Sequence, residues 1–152
     1  MRTINVFAGN SDNGNRVYEQ LLVTDLENSI FRIEASPGLV LGIAKGDEIE
    51  FRSETGDYKI LRRGGNLSIQ IFISPEMKTS LSKLQSELEI SLGASLDGLT
   101  EKQAVFSIAA SRGFQSIEKF LNKFVAENPK SEWFYGNVYD SDGVTPLNWW
   151  AK

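Results

Sequence analysis

Carboxylates gathered along one predicted hairpin come closest, in this sequence, to residues that could do acid–base chemistry. They are Asp47, Glu48, Glu50, Glu54 and Asp57. Alternation along the strand sequence DEIEFRS places Ile49 on the buried face, and Glu48 and Glu50 on the solvent face. The acids are expected to form a solvated strand edge, without the burial that tunes a catalytic acid or base. We therefore predict that Glu48 and Glu50 contact a basic partner rather than take part in catalysis.

The two residue types that most often supply a base or a nucleophile near neutral pH are missing. None of the 152 residues is His or Cys, which excludes Ser-His-Asp and Cys-His catalysis, thiolate zinc sites and disulfides. The spacing of the acids also indicates no pair of carboxylates that would flank a single cleft as a general acid and a general base. We therefore expect a protein with no enzymatic activity, no cofactor and no resident metal ion.

The segment DSDG, residues 140–143, begins like a calcium-binding loop, in which alternating carboxylates converge on the cation. Its glycine comes too early for that loop, and Ala151 stands where a bidentate glutamate should close it. We predict an aspartate-rich turn, with a weak adventitious metal site as the alternative. Asp140 and Asp142 then become further candidates for contact with a basic partner.

The segment AASRGFQSIEKF, residues 109–120, contains a basic residue, a glycine and a phenylalanine in the order that begins the signature of RNA-recognition motifs. That signature belongs on a central strand, whereas here the strand AVFSIAA precedes it and a helix follows. Gln115 and Ser116 also replace the glycine and the aromatic residue that the signature needs. Phe114 and Phe120 are therefore expected in the core, and we predict no nucleic-acid binding.

Two adjacent tryptophans, Trp149 and Trp150, lie in the last segment, GVTPLNWWAK. In an extended segment neighbouring side chains point to opposite sides, so one of the two rings is expected to stay exposed. The first interpretation is that the segment packs back over the sheet or the barrel. The second is that it presents an aromatic anchor to a protein partner, which makes Trp149 and Trp150 candidate partner-binding residues.

The elements that must position these residues fall into two groups, and the first is a series of short strands. Residues 4–8 and the segment RVYEQLLVTDL predict a hairpin, in which Asn13 and Gly14 suit a type I′ turn. A helix over residues 16–26 is the competing prediction, but the β-branched residues there favour a strand. The segments IFRIEAS, DEIEFRS and DYKILRR alternate between glycines, which indicates a small, strongly curved antiparallel barrel or sheet over residues 1–65.

The second group, residues 66–152, has the element order β-α-β-β-α-β of a ferredoxin-like unit. Its first helix, in SPEMKTSLSKLQSELEISLG, has Ser74 as a suitable N-cap, Pro75 at its first position and Gly93 just past its end. A second amphipathic helix ends before an Asn-Pro pair, and EWFYGNVYD forms the last strand. The predicted fold class is α+β, with a barrel-like N-terminal half packed on the ferredoxin-like half as one compact unit.

Charge and hydropathy limit the compartment and the partners. The chain has 16 basic and 20 acidic residues, a net charge of -4, so a phosphate backbone would meet net repulsion. No apolar run approaches the roughly 20 residues that span a membrane, and the N-terminus has no signal-peptide pattern. We therefore expect a cytoplasmic protein that binds neither a membrane nor nucleic acid.

Five segments follow one another in a recognisable order: YEQLL, IFRIEASPGLVLGIAKGDEIEF, RRGGNLSIQIFI, SLGASLDG and AVFSIAA. They contain a Glu-x-Leu step, a Gly-Asp step before a strand and a Gly-x-(Ser/Thr) strand start. These steps fall on Glu19 and Leu21, on Gly46 and Asp47, and on Gly65 and Ser68. In this order they resemble an uncharacterised family of small bacterial proteins, known only as a domain of unknown function. Leu22 stands where that family often has tryptophan, and Asn66 where it often has histidine.

The resemblance also bears on function, because some members of such families are similar to immunity proteins, which neutralise a cognate toxin. We predict a non-enzymatic, cytoplasmic immunity-type protein that occludes the active site of a basic toxin domain such as a nuclease. The alternative is a small-molecule-binding regulatory domain. Its ligand loops would be Gly64 with Gly65, and residues 111–114, because backbone amides at the start of a helix bind anions.

Overall fold

The computed structural model describes residues 1–151 and has an α+β fold, as predicted. Two antiparallel sheets, one of five strands and one of four, are accompanied by two α-helices. Among the described residues, no helix combines the length and the apolar composition needed to cross a membrane.

The first sheet is a meander in which each strand pairs with the next along the chain. Its strands are β1 (Arg2–Asn10), β2 (Arg16–Glu27), β3 (Ile30–Ile33), β4 (Glu48–Phe51) and β5 (Tyr58–Arg62). Alternate side chains make one buried face, which Val40 and Ile43 of the long β3–β4 loop cover. The turn after β4 reaches back to β1, where the Phe7 N–H donates to the Gly56 carbonyl at 2.9 Å. The sheet is therefore curved toward closure, which fits the predicted barrel-like half.

The tightest turn of this sheet lies at Asn28 and Ser29 rather than at Asn13 and Gly14. Asn28 and Ser29 have φ of 53° and 64° and connect β2 directly to β3, which is the geometry of a type I′ turn. The β1–β2 connection takes five residues, 11–15, and of the predicted pair only Gly14 has positive φ. The predicted type I′ turn there is wrong, whereas the strand prediction for residues 16–26 is confirmed.

The second sheet has the order β7-β8-β6-β9, which is that of a ferredoxin-like unit. The strands are β6 (Asn66–Phe72), β7 (Ser95–Leu99), β8 (Gln103–Ala109) and β9 (Glu132–Tyr135), and the helices are α1 (Lys78–Leu92) and α2 (Phe114–Glu127). Both helices pack on one face of the sheet. The core there includes the apolar residues of β6 and β8 that face the helices, and from the helices Leu81, Leu84, Leu88, Ile117, Leu121 and Phe124.

The ends of the first helix agree with the sequence in part. Gly93 has φ of 65° at the C-terminal end, as its left-handed position requires. Pro75 opens a 3-10 turn, Pro75–Met77, that leads into α1. Ser74 precedes this turn but makes no side-chain capping bond; its backbone carbonyl accepts from the Met77 N–H at 3.0 Å.

The two apolar cores are separate, and a polar layer joins the sheets between them. The face of β6 and β8 that is turned away from the helices carries the buried polar residues Ser68, Gln70 and Ser107. Gln70 donates to the Pro37 carbonyl at 3.1 Å, and Ser107 contacts the Ser36 hydroxyl at 2.6 Å. The β3–β4 loop is thus hydrogen-bonded to the second sheet. The predicted boundary at Gly65 falls in the short connector between β5 and β6.

Candidate functional site

A wide groove lies where the two sheets meet, and four parts of the chain line it. They are residues 60–66 of β5 and the connector, residues 109–111 after β8, Phe114 at the start of α2, and residues 147–150. The groove has a volume of about 1170 Å³ and is open to solvent. We call it the junction groove. It brings together both predicted ligand loops and both tryptophans.

The connector between β5 and β6, residues 63–65, forms one wall of the junction groove. Within it, Gly64 lies in direct backbone contact with Gly46. A Cβ atom on Gly64 would come within 2.3 Å of the Gly46 carbonyl carbon, so a larger residue would displace the β3–β4 loop. Gly46 itself has φ of 93°, in the region that favours glycine. The Gly-Asp step before β4 therefore serves a close approach of two backbone segments.

Asp47 fastens this contact. Its Oδ1 accepts from the Gly64 N–H at 2.8 Å, and its Oδ2 accepts from the Ala44 N–H at 2.9 Å. Asp47 is 1% exposed, so the prediction that placed it on a solvated edge is wrong. Burial raises the pKa of Asp47, while the two amides and the guanidinium of Arg63 oppose that rise.

Arg63 links the buried carboxylate to the tryptophans. Its Nη1 donates to the Gly42 carbonyl at 2.5 Å and lies 3.4 Å from Oδ2 of Asp47. Its guanidinium carbon is 5.6 Å from the centre of the Trp149 ring, within the range of a cation–π contact. The side chain of Arg63 therefore connects the buried Asp47 to Trp149, which lines the junction groove.

Both tryptophans are half-buried, and both line the junction groove. Trp149 donates from Nε1 to the Asn137 carbonyl at 2.8 Å, and Trp150 packs edge-on against Phe114 at 5.3 Å between ring centres. The prediction that the two indole rings point to opposite sides assumed that the segment is extended. Asn148 has φ of 57° and accepts from the Ala151 N–H, so the chain turns and the two indole rings contact each other.

A narrower cleft of about 340 Å³ lies between β2, the start of the β3–β4 loop and β7. Glu19 lines it, and its carboxylate accepts from three successive amides of the loop, those of Gly38, Leu39 and Val40, at 2.8, 2.9 and 2.8 Å. Three amides that converge on one point form an anion site. Here a side chain of the same protein already fills that site.

A bulge in β7 brings Asp97 into the same cleft. The register of β7 against β8 shifts between Leu96 and Gly98, and a bulge of this kind redirects the extra side chain. Asp97 accepts from the Ser107 hydroxyl at 2.5 Å and from the Ser36 N–H at 2.8 Å. This network fastens the β3–β4 loop to the second sheet.

A family model described as a domain of unknown function, DUF4265, matches residues 19–133 of the chain. The chain belongs to the DUF4265 family. The match begins at Glu19 and includes Asp47, Arg63 and Asp97, so the side chains that fasten the β3–β4 loop all lie within the DUF4265 domain. The tryptophans of the junction groove lie beyond its end. None of the curated proteins is significantly similar in sequence.

One solved structure shares the fold of this DUF4265 protein. It is that of a hypothetical protein from Neisseria gonorrhoeae, with a TM-score of 0.69 over 92% of this chain and 96% of the other. The two sequences are 16% identical, so the likeness is one of fold alone.

The predicted acidic residues do not form one surface in the DUF4265 structure. Glu50 is exposed on β4, while Glu48 is half-buried and lies 3.6 Å from Arg62 at the rim of the junction groove. Asp140 and Asp142 lie in an exposed turn near the C-terminus, outside the groove lining. Of the six predicted partner-binding residues, only the two tryptophans line the junction groove.

The aspartate-rich turn is confirmed in detail. The Asp142 carboxylate accepts from the N–H groups of Val144 and Thr145 at 2.9 and 2.8 Å and from the Thr145 hydroxyl. These hydrogen bonds, that of the Thr145 hydroxyl first, lower the pKa of Asp142. Among residues 1–151, no group of three or more acidic, His or Cys side chains is arranged to hold a metal ion.

Phe114 and Phe120 both pack against the apolar core of the second sheet, as the sequence predicted. Phe114 is half-buried between Trp150 and Tyr135, so its ring is no free stacking platform. Sequence reasoning missed the roles of Glu19 and Asp97. The Glu-x-Leu step drew attention to Glu19, but no pattern in SLDGL indicated the bulge that redirects Asp97.

Proposed function

We propose that this DUF4265 protein is a non-enzymatic binding protein whose junction groove receives part of a protein partner. The observation that carries the proposal is the lining of the groove by Trp149, Trp150 and two arginines. Tryptophan and arginine are the residues on which binding energy concentrates at protein interfaces. A solvent-open groove of about 1170 Å³ also exceeds the usual volume of a small-molecule pocket, about 300–1,000 Å³.

The proposed lack of enzymatic activity rests on two observations. The sequence has no His and no Cys. The buried acid Asp47 and the partly buried Asp97 already accept two or more hydrogen bonds each from backbone and side-chain donors. Those donors hold the two carboxylates in structural roles, which leaves neither as a general base for a substrate.

The narrower form of this proposal is an immunity-type role in the cytoplasm, in which the protein covers the active site of a toxin. The net charge of -4 and the exposed side chains of Glu50, Asp140 and Asp142 favour approach of a basic toxin domain such as a nuclease. The tryptophans would supply the anchors.

Co-expression with the product of the neighbouring gene tests the proposal. Cells that express that product should grow only when the DUF4265 protein is present, and Trp150→Ala should reduce protection and complex formation by at least about tenfold. Trp133→Ala is a matched control, because Trp133 is also half-buried but lies outside the junction groove. If the neighbouring gene product is harmless and is not retained on the immobilised protein, the immunity role is wrong. If Trp150→Ala and Trp133→Ala reduce protection equally, the junction groove is not the binding site.

A small-molecule-binding regulatory domain is the second candidate, because the structure brings the predicted ligand loops together. Gly64 and Gly65 face the junction groove together with Ser111 and Phe114, and α2 begins there. A thermal-shift screen with anionic metabolites would test this role. A bound metabolite at 100 times its Kd should stabilise the protein by about 2.7 kcal/mol, and the absence of any shift across the screen would count against it.

A further inference from the structure

We infer that the junction groove recognises an extended acidic peptide segment, which adds a strand to the free edge of β5 and places a carboxylate against Arg62. This inference rests on the proposed protein-binding function and specifies the chemistry of the partner segment. It differs from the predicted contact with a basic surface, because it concerns the groove and not the exposed acids elsewhere.

The free edge of β5 provides the backbone groups for such a strand. β5 pairs with β4 on one side and, within the part of the chain that is described, with no strand on the other. The register against β4 shifts at Leu61, so this residue is a bulge whose side chain is 45% exposed. Ile60, Leu61 and Arg62 all line the junction groove. An unpaired strand edge beside a groove is the usual arrangement for binding an extended peptide.

Apolar side chains stand on both sides of this edge. Ile60 and Leu61 lie on the β5 wall, and Leu147 and Trp150 lie on the C-terminal wall. Because alternate residues of a strand point to opposite faces, an added strand would present every second side chain to these walls. The groove therefore suits a segment with apolar or aromatic residues at alternate positions.

The charge of the groove favours acidic side chains at other positions of the segment. Among residues 1–151 the only charged residues that line it are Arg62 and Arg63, and no carboxylate does, although the whole chain has a net charge of -4. Arg63 is already engaged by Asp47 and the Gly42 carbonyl. The side chain of Arg62 is 75% exposed and has one ionic contact, with Glu48 at 3.6 Å.

An ion pair at 3.6 Å whose arginine side chain is 75% exposed contributes little, typically about 0.2–1 kcal/mol for a pair at the surface. Arg62 can therefore exchange Glu48 for a carboxylate of the partner at small cost, and can bind it through two parallel N–H groups. The groove also contains indole rings on which nucleic-acid bases could stack. A single available arginine in a chain of negative net charge disfavours a phosphate backbone, and the test includes that outcome.

The experiment is selection of peptides on the immobilised full chain from a displayed library of random linear peptides of about 12 residues, long enough to form one strand. Enriched sequences should be net acidic with aromatic or aliphatic residues at alternate positions. A fluorescein-labelled copy of the most enriched peptide is then titrated by fluorescence anisotropy. Arg62→Glu should weaken its binding by at least about tenfold, because like charges would face each other.

Arg52→Glu is the matched control. Arg52 follows β4, is exposed, and lies outside the junction groove, so this variant should bind the peptide within about twofold of the wild type after the same change of net charge. If Arg62→Glu fails to fold by circular dichroism, Arg62→Gln replaces it. Amide hydrogen exchange gives an independent readout, because strand addition should slow exchange in β5 more than in β1, the opposite edge of the same sheet.

Four results would overturn the inference. They are a selection that enriches no peptide, a basic or uncharged consensus among the enriched peptides, unchanged peptide binding in Arg62→Glu, and tighter binding of a fluorescein-labelled oligo(dT) than of the peptide. The protein-binding proposal is tested separately, by capture of the neighbouring gene product. If Trp150→Ala abolishes capture of the neighbouring gene product while the selected peptides are basic, the groove binds a protein but its recognition of acidic segments is wrong.

Discussion

The two ends of the β3–β4 loop are fastened by carboxylates in different ways. Glu19, on β2, is half-exposed and binds three loop amides at the rim of a narrow cleft. Asp47 is buried and binds two amides and Arg63 behind a wide groove. At the Glu19 end, the carboxylate already fills the anion site that the three loop amides create.

The Asp47 end is connected to surfaces that remain open. Arg63 reaches from Asp47 to the Trp149 ring, and Trp149 lines the junction groove. The difference between the two ends teaches that fastening the loop and shaping the junction groove are separate tasks here, and that the shape of the groove should depend on the buried carboxylate of Asp47. Variants at the two ends should therefore differ both in stability and in binding.

Asp47→Ala should have the largest effect. It removes the acceptor of two backbone amides and leaves Arg63 without its carboxylate, so the free energy of unfolding should fall by about 3 kcal/mol or more, measured by urea denaturation. Asp47→Asn keeps one acceptor oxygen, so its free energy of unfolding should fall by less. A loss below about 1 kcal/mol in Asp47→Ala would show that the connector is held without this carboxylate.

Trp149→Ala should come next, with a loss of about 2 kcal/mol, because a half-buried indole loses apolar contacts and the hydrogen bond to Asn137. Trp149→Phe keeps an aromatic ring beside Arg63 but removes the indole N–H. Its loss of stability therefore measures the contribution of the hydrogen bond apart from that of the packing. In a double-mutant cycle with Asp47→Asn, the losses for Trp149→Ala should be non-additive by at least about 0.5 kcal/mol, since both contact Arg63. Additive losses would mean that Arg63 does not couple them.

Glu19→Ala should have a smaller effect, about 1 kcal/mol, because the site is partly exposed, with Leu39 57% exposed, so that water can replace the carboxylate there. Glu19→Gln retains an acceptor and is the control. Binding of the selected acidic peptide should change less than twofold in either variant. If Glu19→Ala destabilised the protein as much as Asp47→Ala, the contrast between the two ends of the loop would be wrong.

The overall fold was accessible from the sequence because it depends on local patterns. Alternating runs separated by glycine predicted the strands of the first sheet. Helical spacing with Gly93 past its end predicted α1 and its C-terminal boundary, whereas Pro75 opens the 3-10 turn that precedes α1. The turn at Asn28 and Ser29 was missed, because Asn-Gly is the commoner type I′ pair.

The junction groove was accessible from the sequence only in part, because it depends on contacts between residues far apart in the chain. Alternation cannot show that Asp47, just before β4, is covered by the connector. Nor can it show that Asn148 turns the chain so that both indoles pack on one side. The sequence did indicate that Gly64, Gly65 and the tryptophans were unusual, and these residues do line one groove.

The pH dependence of stability gives the finest test of the contrast, because burial is what distinguishes Asp47 from Glu19. Burial raises the pKa of Asp47 above its ordinary value of 3.8. A group whose pKa is higher in the folded state contributes stability below its unfolded pKa, and this contribution is lost as the pH rises through the folded pKa.

The difference in free energy of unfolding between wild type and Asp47→Asn should therefore be most favourable to the wild type below pH 3.8. It should decline as the pH is raised above that value, since Asn does not titrate. Urea denaturation of both proteins across this range measures it, with Glu50→Gln as a control for an exposed acid. A difference that instead grew with pH would mean that Arg63 and the two amides outweigh burial, so that the ionised carboxylate itself stabilises the connector.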